Sequence, residues 1–299
     1  MKYGLVLRST GPKASPEAIE AGAETAERLG WETVWTTDHV LVPEATSAEY
    51  GRVYEAIATL AWVGARHSRL NLGISVVVVP QRNAVLLAKE LATIDALSGG
   101  RLQAGVGVGW MEAEFANLGM ADRFHKRGAY VDETIRLWRH LWSGSRAPFS
   151  GAFHRFRDYV FEPLPPQGDR LPIVVGGASD AGLRRAGALG DAYQATGAGP
   201  AEFARRIPII RAAAETAGRP MPRLMARLAI TSAPPAGRFA LSGGPEAIRA
   251  DIGALEALGV EEIAIAFEAT EPDRLSAEID RFDREVVKAE APGWSSTSN

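Results

Sequence analysis

Residues 70–108 read LNLGISVVVVPQRNAVLLAKELATIDALSGGRLQAGVGV, and they contain one full repeat of the fold. Leu70–Val79 is rich in valine and isoleucine and apolar on both faces apart from Asn71, Gly73 and Ser75. Strands of a parallel sheet have this pattern because both of their faces are covered. Leu87, Leu91, Ile94 and Leu97 then recur at spacings of four, three and three, as on a helix with one buried face. Ser98-Gly99-Gly100 stops that helix, and Leu102–Val108 is a strand again. Strand, helix and strand without a hairpin turn make a βαβ unit.

The same alternation extends in both directions. Upstream, the pattern predicts a strand at Tyr3–Leu7, a helix over Pro16–Leu29 closed by Gly30, a strand at Thr33–Thr37 and a helix over Tyr50–Arg66. Downstream it predicts a long helix from Arg123 to Leu141. Strands follow at Ile173–Val175, Ala192–Ala195, Leu224–Ile230 and Glu262–Phe267, and helices at Asp180–Leu189, Glu202–Ala217, Pro245–Leu258 and Asp273–Lys288. Residues 143–170 break the rhythm. Gly and Pro punctuate them around Phe149, Phe153, Phe156, Tyr159 and Phe161, which reads as an inserted lobe with room for a hairpin. Eight βα units in one α/β chain point to a closed (β/α)8 TIM barrel rather than an open sheet. A weak internal echo agrees: Arg28-Leu29-Gly30-Trp31-Glu32-Thr33-Val34 resembles Ala257-Leu258-Gly259-Val260-Glu261-Glu262-Ile263, and Ala188–Tyr193 is a looser copy. A single domain over 1–288 and a frayed polar tail at 289–299 are expected.

Composition narrows the function. The chain has 299 residues and a formal net charge of −3, with its basic residues scattered along the sequence. A nucleic-acid surface concentrates them, so no nucleic-acid partner is implied. Cysteine is absent, which removes disulfides, thiolate nucleophiles and cysteine–metal clusters. Five histidines show no metal-binding spacing, so no metal is expected. No signal peptide is visible, and apolar runs such as Val76–Val79 fall far short of the roughly 20 residues that span a bilayer. A cytoplasmic enzyme acting on a small organic molecule, with no membrane partner, is the expectation.

In a barrel, chemistry gathers at the C-terminal ends of the strands. The second strand ends in Asp38-His39, a carboxylate and an imidazole suited to holding a ligand and moving a proton. The same pair could equally be a salt-bridged acid and a surface histidine. The third strand carries Gly73 and Ser75 in a β-branched run, as if something approaches its backbone or as packing between barrel layers. The fourth ends in Gly105-Val106-Gly107-Val108-Gly109-Trp110, where alternate glycines leave one face bare for a flat ring or a phosphate. The fifth ends in Gly176-Gly177-Ala178-Ser179 at a helix start, where backbone N–H groups suit an anion and Ser179 suits an N-cap. Arg8 and Thr196, at the ends of the first and sixth strands, face either a ligand or solvent.

Taken together, these stretches resemble the luciferase-like monooxygenase superfamily, and most of all its branch that uses the deazaflavin coenzyme F420. The most specific piece is Ser98-Gly99-Gly100-Arg101-Leu102 with Gly105-x-Gly107-x-Gly109-Trp110-x-x-x-Glu114-Phe115-x-x-x-Gly119; Asp38-His39, the Arg127…Asp132-Glu133 helix and Gly176-Gly177 support it. The resemblance implies an F420-dependent oxidoreductase, with an FMN-dependent monooxygenase and a non-catalytic flavin-binding protein as alternatives, and by family habit a homodimer. It implies a ring held against the third strand at a cis peptide between Ser75 and Val76. Asp38 and His39 would lie near the coenzyme, its phosphate on Gly176, Gly177, Ala178 and Ser179, and Gly107, Val108, Gly109 and Trp110 on the other side, with Arg127 as a further phosphate candidate. Sugar-phosphate dehydrogenases of the family place a glutamate where this chain has Trp110, and a lysine after the sixth strand, where Thr196–Pro200 has no base. The departure argues for an apolar or aromatic substrate against Trp35, Trp110 and the inserted lobe.

Overall fold

The structure, a computed structural model, describes residues 1–289. In chain order it has β1 (Lys2–Val6), α1 (Pro16–Leu29), β2 (Thr33–Thr36), α2 (Ser47–Tyr50), α3 (Ala56–Arg66), β3 (Asn71–Ile74), β4 (Val77–Val78), α4 (Ala84–Ser98), β5 (Leu102–Gly107), α5 (Glu112–Asn117) and α6 (Arg127–Trp142). A hairpin of β6 (Phe149–Ser150) and β7 (Arg155–Phe156) comes next. Then follow β8 (Ile173–Gly176), α7 (Asp180–Leu189), β9 (Ala192–Thr196), α8 (Pro200–Thr216), β10 (Arg223–Ala229), α9 (Pro245–Ala257), β11 (Val260–Ala266) and α10 (Pro272–Phe282). The strands β3, β2, β1, β11, β10, β9, β8 and β5 pair in that order. Pairs between β3 and β5, Leu72 with Leu102 and Gly73 with Gln103, close the ring as an eight-stranded parallel barrel. Beyond residue 289, the expectation for the C-terminal tail lies outside the described residues.

Local chemistry explains the helices. α1 starts where the Ser15 hydroxyl accepts the Ala18 N–H at 3.1 Å and Pro16 occupies the first turn, and it stops at Gly30 in the left-handed region. Its buried residues Ala18, Ile19, Gly22, Ala23 and Ala26 form one stripe against the barrel. Gly259 takes the same left-handed cap as Gly30, whereas Gly190, the looser copy, is extended. The helix expected over Tyr50–Arg66 is two helices. Between them the backbone is diverted to the first strand's loop: Gly11 N–H donates to the Arg52 carbonyl at 3.0 Å and Tyr54 N–H to the Ser9 carbonyl at 2.9 Å. Glu55 then caps α3 by accepting the Ala58 N–H at 2.7 Å. The segment expected as one strand over Leu70–Val79 is likewise interrupted, at Ser75–Val76.

The inserted lobe is the β6–β7 hairpin, stacked through Phe149 and Phe156 at 5.6 Å between ring centres. Its turn is fastened to α6 by one carboxylate: Glu133 accepts the N–H groups of Ala152, Phe153 and His154 and pairs with the His154 ring at 3.0 Å. Burial pushes the Glu133 carboxyl up, but those donors outweigh it and hold it below the ordinary range.

Most of the core lies between the strands and the helix ring. Inside the barrel is a smaller layer, Val6, Trp35, Val174, Ala192, Met225 and Ala264, contributed by separate strands. Trp35 is fully buried there and donates its indole N–H to Glu262 at 3.0 Å. Burial pushes the Glu262 carboxyl up despite that hydrogen bond. A folded-state value above the unfolded value, about 4.3, means that the folded chain holds the proton more tightly. This contribution is therefore full below that value and is lost as pH rises through the folded one. Glu262→Gln is expected to gain urea stability relative to the parent as pH is raised from 4 to 8; a difference that is flat with pH would rule this out.

Candidate active site

The C-terminal ends of the strands open into one cavity of about 950 Å³. Arg8, Asp38, His39, Ser75, Val76, Gly107, Val108, Gly109, Trp110, Arg127, Gly176, Gly177, Ala178, Ser179 and Thr196 all line it. Trp35 does not. Strand alternation turns its side chain into the barrel interior, where it lies against Gly73, so tightly that no Cβ would fit at that position. The backbone approach suspected at Gly73 is thus this indole. The hairpin's aromatic residues are also absent from the cavity wall, because Glu133 and the stacked phenylalanines fix the lobe on the outer face of α6.

The peptide between Ser75 and Val76 is cis, as the resemblance implies. Here β3 leaves the barrel wall and β4 resumes beside β5. The alternate glycines face this break. A Cβ at Gly105 would collide with the Ile74 carbonyl, one at Gly107 with the Val76 side chain, and one at Gly176 would stand 2.6 Å from Cγ1 of Val76. The bare strand face is filled by the chain itself, and what remains for a ligand is the surface that Val76 presents to the cavity.

Asp38 and His39 come from the same strand end but engage different partners. Asp38 is buried, accepting the Val78 N–H at 2.9 Å and Arg82 Nη2 at 2.6 Å. Burial draws the Arg82 guanidinium down, yet Asp38 and Glu55 together raise it above its ordinary value. The carboxylate therefore braces β4 and the start of α4. His39 pairs through Nδ1 with Glu114 Oε2 at 3.0 Å, and Glu114 Oε1 accepts the Val40 N–H at 2.7 Å. Burial pushes Glu114 up, but these two partners prevail and keep it below the usual carboxylate range. An ionised Glu114 places the imidazole proton on Nδ1 and leaves Nε2 for the cavity. Tyr50 and Trp110 flank the ring, with centroids 4.4 and 6.4 Å from it, and Trp110 is 61% exposed.

On the far side, Gly176–Ser179 lead into α7. Ser179 serves as its N-cap, accepting the Gly182 N–H at 3.3 Å, so the hydroxyl is already engaged, while Gly176, Gly177 and Ala178 before it line the cavity. Arg127 lies over the Phe124 ring at 4.0 Å, with its Nε buried and without a partner. The acids on its own helix are engaged elsewhere, Asp132 with Arg185 and Glu133 with the hairpin. Arg8 Nε and Thr10 Oγ1 are also buried and unpartnered beside the cavity. Among the described residues, no group of three or more acidic or histidine side chains is placed to hold a metal.

The family model described as luciferase-like monooxygenase matches residues 1–237. The chain belongs to the luciferase-like monooxygenase family. Within related sequences it is 31% identical over 213 residues to an uncharacterised protein of Mycobacterium tuberculosis, covering 67% of this chain and 72% of that one. It is 32% identical over 217 residues to an F420-dependent glucose-6-phosphate dehydrogenase of Kineococcus radiotolerans, covering 70% of this chain and 63% of that one. In structure it matches the monooxygenase RslO1 from Streptomyces bottropensis with a TM-score of 0.79 at 21% identity, over 96% of this chain and 99% of that one.

Five residues of this luciferase-like site escaped sequence reasoning. Arg82, Glu114 and Tyr50 reach the strand-two end from distant segments, and only Glu114 stood inside a quoted motif. Arg227, on β10, donates to the Ser75 carbonyl, to Ser75 Oγ at 3.2 Å and to Thr37 Oγ1 at 2.8 Å. Arg238, on the loop after β10, lays its aliphatic stem against Gly197. Thr196–Pro200 itself carries no base, and Arg227 and Arg238 line the same cavity as Thr196. No helix among the described residues is long and apolar enough to cross a membrane. Asp38→Asn removes the charge that balances Arg82 and is expected to cost about 3 kcal/mol, low in the usual range because Glu55 still pairs with Arg82. A urea titration checks this; unchanged stability would mean that Asp38 is not the brace described.

Proposed function

We propose that the chain is an oxidoreductase that transfers a hydride between the deazaflavin F420 and a small organic substrate. The observation that carries this reading is convergence: Asp38, His39, Ser75, Gly107 and Gly177 come from separate strand ends yet line a single cavity. The unpartnered Arg127 Nε and the free amides of Gly176–Ala178 suit a coenzyme phosphate, and the ledge at Ser75–Val76 suits a flat ring. Bound there, the coenzyme supplies or accepts a hydride at one ring carbon.

The chain's own part is to orient and to move a proton. Glu114 fixes the tautomer of His39, so Nε2 is the atom that exchanges a proton with substrate. Tyr50 and Trp110 keep water from one side of that imidazole. Asp38 acts at one remove, through Arg82 and the β4 backbone. The names of relatives, which include an F420-dependent dehydrogenase and a monooxygenase, support a deazaflavin or flavin in this site.

Titration of the purified protein with F420 and with FMN separates the two coenzymes. F420 is expected to bind more tightly, and oxygen uptake with reduced FMN would overturn the F420 reading. With an accepted substrate in hand, His39→Ala is expected to lower turnover about 10²-fold or more. Near-normal turnover would remove His39 from the mechanism.

A further inference from the structure

The charges in the cavity do not balance. Arg8, Arg127, Arg227 and Arg238 line it, against Asp38, Glu49 and Glu114. Asp38 is committed to Arg82 and Glu114 to His39. Arg227 stands out among the four. Its partners are neutral oxygens only, the Ser75 carbonyl, Ser75 Oγ and Thr37 Oγ1. Among the described residues it joins no ion pair, and neither does Arg238. Burial, with Arg238 nearby, pulls the Arg227 guanidinium down to about 10, Tyr50 alone acting to raise it. A guanidinium offers five N–H donors, and three neutral acceptors leave both donors and charge unmet. A half-buried cation in a cavity wall, with no ion-pair partner among the described residues, suits a ligand that brings a counter-charge.

Its position says what that ligand is. Arg227 is held by β10, a rigid strand, while Arg238 approaches from the exposed loop above. Tyr50 connects them to the aromatic wall, because both arginines act electrostatically on its hydroxyl while its ring sits 4.4 Å from His39 and 6.1 Å from Trp110. A planar carboxylate matches a guanidinium fork, and a flat unsaturated body matches the wall. We infer that Arg227 and Arg238 form a carboxylate subsite, so that the substrates are small planar organic acids held with their unsaturated carbons beside His39. The subsite is separate from Gly176–Ser179 and Arg127, which face the cavity from β8 and α6. This inference rests on the coenzyme reading above only for the reaction, since the anion would bind without it.

The test is calorimetric titration of the full chain, free and with F420, using trans-cinnamate and the neutral cinnamamide as probes. Cinnamate is expected to bind at least about tenfold more tightly than the amide. Arg227→Gln and Arg238→Gln are each expected to weaken cinnamate by about 10- to 100-fold, the scale of a lost charged hydrogen bond, and to leave cinnamamide unchanged. Affinity for F420 should stay within about threefold in Arg238→Gln, since Arg238 makes no hydrogen bond to the Ser75–Val76 ledge that Arg227 holds. Arg238 is on the surface, so its variant tests the idea even if Arg227→Gln does not fold. Equal binding of acid and amide, or variants that bind cinnamate like the parent, would overturn the subsite. So would loss of F420 in Arg238→Gln, because that arginine would then serve the coenzyme. If the acid is preferred while neither F420 nor FMN binds, the subsite stands and the coenzyme reading falls.

Discussion

The break in the third barrel strand needs room, and three glycines provide it. The Ile74 carbonyl and the Val76 side chain occupy the space where Gly105, Gly107 and Gly176 would carry a Cβ. Any larger residue would force backbone against backbone at Gly105, in a wall with little capacity to yield. The floor of the cavity depends on this fit. The displaced Ser75 accepts hydrogen bonds from Arg227, and Val76 becomes the surface offered to a ligand. Side chain and backbone therefore exchange roles here: a motif that looks like a ligand cradle is first a socket for the neighbouring strand.

Around that floor, buried charges are handled in two ways. Asp38 with Arg82 and His39 with Glu114 are closed pairs, each also anchored to a backbone N–H. They hold their geometry because an unpaired charge in that setting would cost several kcal/mol. Arg127 and Arg227 are left open, one with an orphaned Nε and the other with neutral partners only. Closed pairs position the site, and the open cations are the groups to which the proposed anions would bind. The two open cations come from different elements, Arg127 from α6 and Arg227 from β10.

The periodicities that define α1, α4, α7 and their strands were sufficient to derive the barrel, since a buried stripe at helical spacing and a two-faced apolar strand are local properties. Strand ends also located Asp38, His39, Ser75, Gly107 and Gly177, because barrel topology assigns all such ends to one face; Arg127, at the start of α6, came from the family resemblance. The misreadings have a common cause. Trp35 was expected in the pocket because tryptophan suits an aromatic ligand, but which face a strand residue takes depends on the register of the whole ring. Residues 51–55 were read as helical because the backbone hydrogen bonds that divert residues 52–54 come from a loop some forty positions away in sequence.

What the amino-acid order alone determined is the architecture and the set of strand ends at which chemistry is possible, because spacing and turn residues act over a few positions. Pairing was decided only in three dimensions: Asp38 with Arg82, His39 with Glu114, and Arg227, among the described residues, in no ion pair. Whether a buried ion is satisfied depends on groups brought together from separate βα units, and no local pattern encodes that.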